Sequence, residues 1–132
     1  AQITQVLISL PFAFLRVWIL PDGNPAGIEA NVAYYGFGLI IYALFNFIFL
    51  TEFFKTAYKA GRAFLLAVIP AVVVMTVMEV LSHIPPFAWL DSVQTTDLLR
   101  QVPILCVGVV VYLIANISAY RIAARRFEVV DL

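Results

Sequence analysis

Four long apolar stretches, separated by short polar segments, dominate the pattern of residues along this chain. A helix needs about 20 mostly apolar residues to cross roughly 30 Å of hydrocarbon, and each stretch approaches or reaches that length. None of them alternates polar and apolar residues as a membrane β-strand does, so the pattern predicts helices. The predicted spans are residues 3–20, 31–53, 63–81 and 102–123, which together make residues 1–132 a single transmembrane domain.

The connection at residues 83–101 is longer than the other two and has helix-forming features of its own. Asp91, Thr95 or Thr96 can cap a short helix, because their side-chain oxygens accept hydrogen bonds from its first free N–H groups. Trp89 suits the boundary between membrane and water. We therefore predict a short interfacial helix on the outer surface between spans three and four.

Basic residues are distributed unevenly among the loops, and short loops rich in Lys and Arg stay in the cytoplasm. Two lie on one side, Arg16 near the end of the first span and Arg100 before the last. The opposite side carries six: Lys55, Lys59, Arg62, Arg121, Arg125 and Arg126. The sequence therefore predicts an all-α, four-helix membrane bundle with both termini in the cytoplasm. Since the chain starts without a basic region typical of a signal peptide, we expect the first stretch to be a retained span.

Composition supports this fold and limits the chemistry. Apolar residues make up 64% of the chain and charged residues 12%, whereas soluble domains have about a quarter charged residues. The formal net charge is zero, which argues against a nucleic-acid partner, since that would require a basic patch. Cys106 and His83 are the single residues of their types, so no metal motif, disulfide framework or cofactor is predicted. Because no nucleophile has a base beside it in sequence, an enzyme is not expected.

Two charged residues, Arg16 and Glu79, lie within apolar stretches. Ionisable groups inside spans are costly and are therefore candidates for function. Both fall near the outer ends of their spans and at similar depth, so they can form an ion pair. One interpretation is an outer gate or substrate contact; the other is a structural pair, or two side chains that reach the interface.

Asn46 and Asn116 lie closer to the middle of their spans. Amides at that depth usually form hydrogen bonds between helices, although a substrate site is an alternative. Small residues also occur within the spans, where they let helix backbones approach. They are Gly36, Gly38, Gly108, Ala115 and Ala119. Packing within the chain and an oligomer contact explain them equally well.

The basic residues of the loop after span two have two interpretations. They can set topology and touch lipid headgroups, or they can dock a soluble partner beneath the membrane. The run FFKTAYKAGR at residues 53–62, followed at once by a span, resembles the last inner loop of bacterial ABC-2-type transporter permeases. The ending AYRIAARRFEVVDL at residues 119–132 is similar to the way many of them finish.

The resemblance covers residues 53–132 and carries further expectations. Such permeases have six spans, act as dimers in the cytoplasmic membrane, and are driven by a separate or fused ATPase. This chain would match their last four spans, with residues 83–101 as the outer helical stretch before the final span. The family's entry helix, first two spans and main coupling loop are not in these residues. The resemblance implies an export permease-like subunit that forms a homo-oligomer and contacts an ABC ATPase.

Two other functions remain open. A non-transporting membrane scaffold, or an accessory subunit of a larger complex, would bury its few polar groups in local pairs. A permease dimer would instead line a route with Ser, Thr, Asn and charged side chains. A small proton-coupled exporter would need a deep acidic residue, and Glu79 lies too close to the end of its span.

Overall fold

The computed structural model describes residues 2–19, 31–56 and 59–129, except for the side chains at positions 13, 14, 16 and 17. All regular elements in these ranges are helical. The four α-helices are α1 (Gln2–Ile19), α2 (Val32–Lys55), α3 (Ala60–Ser82) and α4 (Thr95–Val129), and a short 3₁₀ helix covers Pro85–Asp91. The predicted all-helical class is confirmed.

Three of these helices, α2, α3 and α4, are long and apolar enough to cross a membrane. Among the described side chains of α1, Gln2–Phe12 forms a shorter apolar helix. Three such helices indicate a membrane-spanning protein, while the fourth span and the orientation stay predictions. The helix bounds follow the predicted spans closely for α1, α2 and α3, whereas α4 extends well beyond its span at both ends.

Helix α2 lies at the centre of the fold and packs against both α4 and α3. Buried alanines line these contacts, with Ala33 and Ala43 on α2 and a row at every fourth position on α3. Leucine, isoleucine, valine and phenylalanine side chains are mostly on the outside. This is the arrangement expected in lipid, where helices associate through close packing of small residues because hydrocarbon solvates the large ones.

The segment between α3 and α4 differs from the prediction. The residues expected to form a separate interfacial helix, from Thr95 onward, are the first turns of α4 itself. Nothing between Thr95 and the predicted start of span four breaks a helix, and Pro103 is accommodated inside α4. The short helix lies earlier, at Pro85–Asp91, where prolines occupy its first positions and have no N–H to leave unpaired.

Candidate functional site

The predicted Arg16–Glu79 pair lies outside what the structure describes, because the Arg16 side chain is not among the described groups. Glu79 lies one turn before the end of α3. Its carboxylate is 3.7 Å from Nδ1 of His83, and the same ring nitrogen is 2.9 Å from the Glu79 main-chain oxygen. Both side chains are at least half exposed, so the contact contributes little to stability.

The structure brings Asn46 and Asn116 together between α2 and α4. Asn46 Nδ2 donates to Asn116 Oδ1 at 2.9 Å and to Gln2 Oε1 at 2.6 Å. Gln2 Nε2 in turn donates to Asn46 Oδ1 at 2.9 Å. These three amides form a network that ties α1 to the other two helices.

Tyr112 completes this amide network. Its hydroxyl donates to Gln2 Oε1 at 3.2 Å, and its main-chain oxygen accepts from Asn116 Nδ2 at 2.7 Å. Every amide of the network therefore has a partner within the bundle, which favours interhelical contact over an open substrate site. Gln2 was missed in the sequence because a polar residue at the edge of an apolar stretch is ordinary. Tyr112 was missed because a tyrosine in the middle of a span gives no sign of which helix its hydroxyl faces.

A second polar cluster, centred on Gln101, holds the connection between α3 and α4. Gln101 is fully buried, and its Nε2 donates to the main-chain oxygens of Trp89 at 2.6 Å and Ser92 at 3.0 Å. Its Oε1 accepts from the backbone N–H of Ala33, at 3.0 Å, in the first turn of α2. The Gln101 side chain thus supplies hydrogen-bond partners to two carbonyl groups of the connection and to one N–H group that the first turn of α2 leaves unpaired.

Asn31 lies beside it as the N-cap of α2. Its Oδ1 accepts from the backbone N–H of Tyr34 at 2.9 Å, while its Nδ2 donates to the main-chain oxygens of Leu90 and Ser92 at 2.8 and 3.0 Å. We call Asn31 and Gln101 together the polar clasp. Asn immediately before an apolar stretch is an N-cap signal that the sequence does carry. The sequence does not show that the side chains of Asn31 and Gln101 form hydrogen bonds with residues 89–92.

At the opposite end of the bundle, the last turns of α2 meet the end of α4. Arg126 Nη1 donates to the main-chain oxygen of Thr51, and the rings of Phe54 and Phe127 meet edge to face with centroids 6.2 Å apart. The six basic residues assigned to the inner side therefore lie at one end of the molecule. We call them the basic end: Lys55, Lys59, Arg62, Arg121, Arg125 and Arg126.

Most of the basic end is open to its surroundings. Lys59, Arg62, Arg121 and Arg125 are exposed, and Lys55 pairs only with Glu52, at 3.5 Å, while remaining more than half exposed. Arg126 is partly covered by its contact with α2. Lys55 is the last residue of α2, and Lys59 immediately precedes α3, which begins at Ala60. These charges are available to an anionic surface.

Among the described residues, no group of three His, Cys, Asp or Glu side chains is arranged to hold a metal ion. No family model matches this protein, and searches of curated proteins and of solved structures found no significant match. Its function is therefore inferred from its own residues.

Proposed function

We propose that this protein is a permease-like membrane subunit of a bacterial export system of the ABC-2 type, acting as an oligomer in the cytoplasmic membrane. Its basic end would dock a soluble ATPase, which supplies the energy for transport. The proposal gives the protein no catalytic residue and no cofactor of its own.

The observation that carries this proposal is the meeting of two separate basic segments at one end of the fold. Arg126 on α4 contacts the backbone at Thr51 on α2, so the end of α2, which carries Lys55, and the end of α4 lie together. The resemblance of residues 53–62 and 119–132 to ABC-2 permeases falls on these same two segments. A basic surface that spans two helices can recognise an acidic partner through several charges at once.

The test is purification of the full-length protein from its own cells in mild detergent, with mass spectrometry of the proteins that accompany it. The proposal expects a nucleotide-binding ATPase in near-stoichiometric amount. A triple variant, Lys55→Glu, Lys59→Glu and Arg62→Glu, should lose that ATPase while keeping its helical circular dichroism. A triple variant that retains the ATPase would overturn docking at the basic end.

A matched control reverses a charge at the other end of the bundle. Arg100 is exposed in the first turns of α4, so Arg100→Glu should leave ATPase recovery unchanged. Because basic residues also set orientation, the sidedness of a C-terminal tag must be the same in wild type and variants. Loss of the ATPase in both variants would indicate a general charge effect and would count against a specific surface.

A second candidate function, a non-transporting scaffold or accessory subunit, is favoured by the local pairing of polar groups. Asn46, Asn116 and Gln2 bind one another, and Thr51 and Thr76 bond back to carbonyls of their own helices. Recovery of other membrane subunits without an ATPase in the same purification would support the scaffold and retire the transport proposal.

A further inference from the structure

A cavity of about 410 Å³ opens between α2, α3 and the 3₁₀ helix, at the end of the bundle opposite the basic end. This volume falls in the range of small-molecule sites, which is about 300–1,000 Å³. The cavity shares Asn31 with the polar clasp but otherwise lies apart from the surfaces described above. It is therefore independent of the proposed ATPase contact.

The cavity wall has an apolar part and an acidic part. Phe37, Ile41, Met75 and Met78 supply apolar surface toward the middle of the helices. Glu79 and Asp91 lie toward the helix ends, and the described side chains that line the cavity include no Lys or Arg. A ligand that fits must therefore combine an apolar body with a positive group at one end.

Aromatic rings strengthen the case for a cation. Tyr34 and Tyr42 also line the cavity, and the face of an aromatic ring attracts an organic ammonium group. His83 is the charged partner that the structure gives Glu79, and it offers a charge only when protonated. Burial raises the pKa of the Asp91 carboxyl, with His83 offsetting part of that rise, as expected for a carboxylate short of positive neighbours.

We propose that this cavity binds an amphiphilic amine, an organic cation with one ammonium group and an apolar tail. The ammonium group lies between Glu79 and Asp91, and the tail lies along Phe37, Met75 and Met78. A phospholipid with an amine headgroup fits poorly, because its phosphate would approach the same two carboxylates with no Lys or Arg among the part of the lining that the structure describes. The ligand is therefore free of phosphate.

Isothermal titration calorimetry of the full-length protein in dodecyl maltoside tests the charge requirement. The probes are hexyltrimethylammonium, hexan-1-ol and heptanoate, which share a six-carbon alkyl tail and differ in charge. We expect saturable binding of the cation and none of the other two. Equal binding of the alcohol would reduce the cavity to an apolar groove and overturn the proposal.

Variants locate the site. Since exposed ion pairs contribute modestly, Glu79→Gln and Asp91→Asn should each weaken cation binding about two- to fivefold, and the double variant about tenfold or more. Glu128→Gln removes one exposed carboxylate at the basic end and is the matched control, with unchanged affinity expected. An equal loss in Glu128→Gln would contradict the site.

Two further titrations test where the cation binds and whether a phospholipid competes for the cavity. Ser82→Lys places an ammonium group at the cavity wall and should abolish binding, whereas retained affinity in a folded Ser82→Lys variant would contradict the location. Phosphatidylethanolamine added to the micelles should leave cation affinity unchanged. Efficient displacement by this lipid would identify a phospholipid site and overturn the phosphate-free ligand.

Discussion

Helix α2 makes two very different contacts, one with α4 and one with α3. On the α4 side, small residues of α4 are buried along the contact: Gly108, Ala119 and Ala123. Toward α3, the buried residues are three alanines in the half of that helix next to the basic end. The other half of α3 has no buried residue and lines the acidic cavity together with α2.

The two glycines explain the closeness on the α4 side. A Cβ atom on Gly36 would lie 2.9 Å from the backbone carbonyl carbon and oxygen of Ile104 and from the backbone nitrogen of Leu105. A Cβ atom on Gly108 would press on the main-chain oxygen of Gly36 and lie 3.0 Å from its Cα. Backbone meets backbone at this crossing, which only glycine permits. One side of α2 is thus a fixed interface, and the other leaves room for a ligand.

The largest expected effect comes from filling the α2–α4 crossing. Gly108→Ala places a methyl group against the Gly36 backbone, which cannot move as a flexible side chain would. Because overpacking of this kind typically costs 1–3 kcal/mol or more, we expect a loss of about 3 kcal/mol in the free energy of unfolding. Unfolding in mixed SDS and dodecyl maltoside micelles measures it.

Gly38→Ala is the matched control, since nothing lies within 4 Å of a Cβ atom at that position. It should be neutral or slightly stabilising, because alanine favours the helix by up to about 1 kcal/mol over glycine. If the two alanine variants have equal stability, the close crossing of α2 and α4 is wrong.

The next effect concerns the polar clasp on the α4 side. Gln101→Leu keeps similar bulk but leaves the backbone N–H of Ala33 without its acceptor, while the main-chain oxygen of Trp89 retains only a 3.4 Å bond from the backbone N–H of Ser92. A buried group left unpaired costs about 1–3 kcal/mol, so we expect a loss of about 2 kcal/mol.

Faster backbone hydrogen exchange at residues 89–93 should accompany that loss. Gln94→Ala changes an exposed glutamine in the same segment and should alter neither property by a measurable amount. A Gln101→Leu variant that exchanges at wild-type rates would show that the clasp does not hold this segment.

The amide network tests how α1 is attached to this core. Asn46→Leu removes three hydrogen bonds to Gln2 and Asn116. Interhelical hydrogen bonds in membranes average about 0.6 kcal/mol each, so a loss of about 1–2 kcal/mol is expected. Thr76→Val is the control, because the Thr76 hydroxyl donates to the main-chain oxygen of Val72 in its own helix. The stability of the Thr76→Val variant should match that of the wild type within error.

How much of this could be predicted from sequence differs between the two sides of α2. The helices follow from the length of the apolar stretches, because lipid leaves the backbone few alternatives. The glycines were recognisable as places of close approach. The sequence did not show which glycine of α2 meets α4. Gly36 and Gly38 lie on different faces of the helix, and tertiary packing decides which face contacts α4.

The candidate sites were less predictable. Asn46 and Asn116 stood out as polar residues in apolar surroundings, and the structure brings them together. Gln101 lies just outside the apolar stretch, where a polar residue is ordinary, so only the fold shows that it is buried. The cavity depends on how α2, α3 and the 3₁₀ helix pack together, which no local pattern encodes. The helix that contains the predicted fourth span begins earlier, at Thr95, because the capping residues alone did not show that the helix continues into the span.

The smallest expected effect is on the pH dependence of stability, and it concerns Asp91 on the α3 side of α2. Burial raises the pKa of its carboxyl above the ordinary value of 3.8, and His83 offsets part of the rise. The folded state therefore favours protonated Asp91. The resulting stabilisation is complete below the unfolded pKa and is lost as the pH rises through the folded pKa.

Asp91→Asn cannot ionise, so its stability relative to wild type should increase as the pH rises from about 3.5 to about 7. Glu79 and His83, which lie near Asp91, are present in both proteins, so their contributions largely cancel from the difference. Thermal unfolding of the two proteins across this range gives the comparison. A difference independent of pH would mean that Asp91 ionises as freely in the fold as in the unfolded state. The acidic side of the cavity would then be fully solvated, and the contrast between the two sides of α2 would reduce to packing alone.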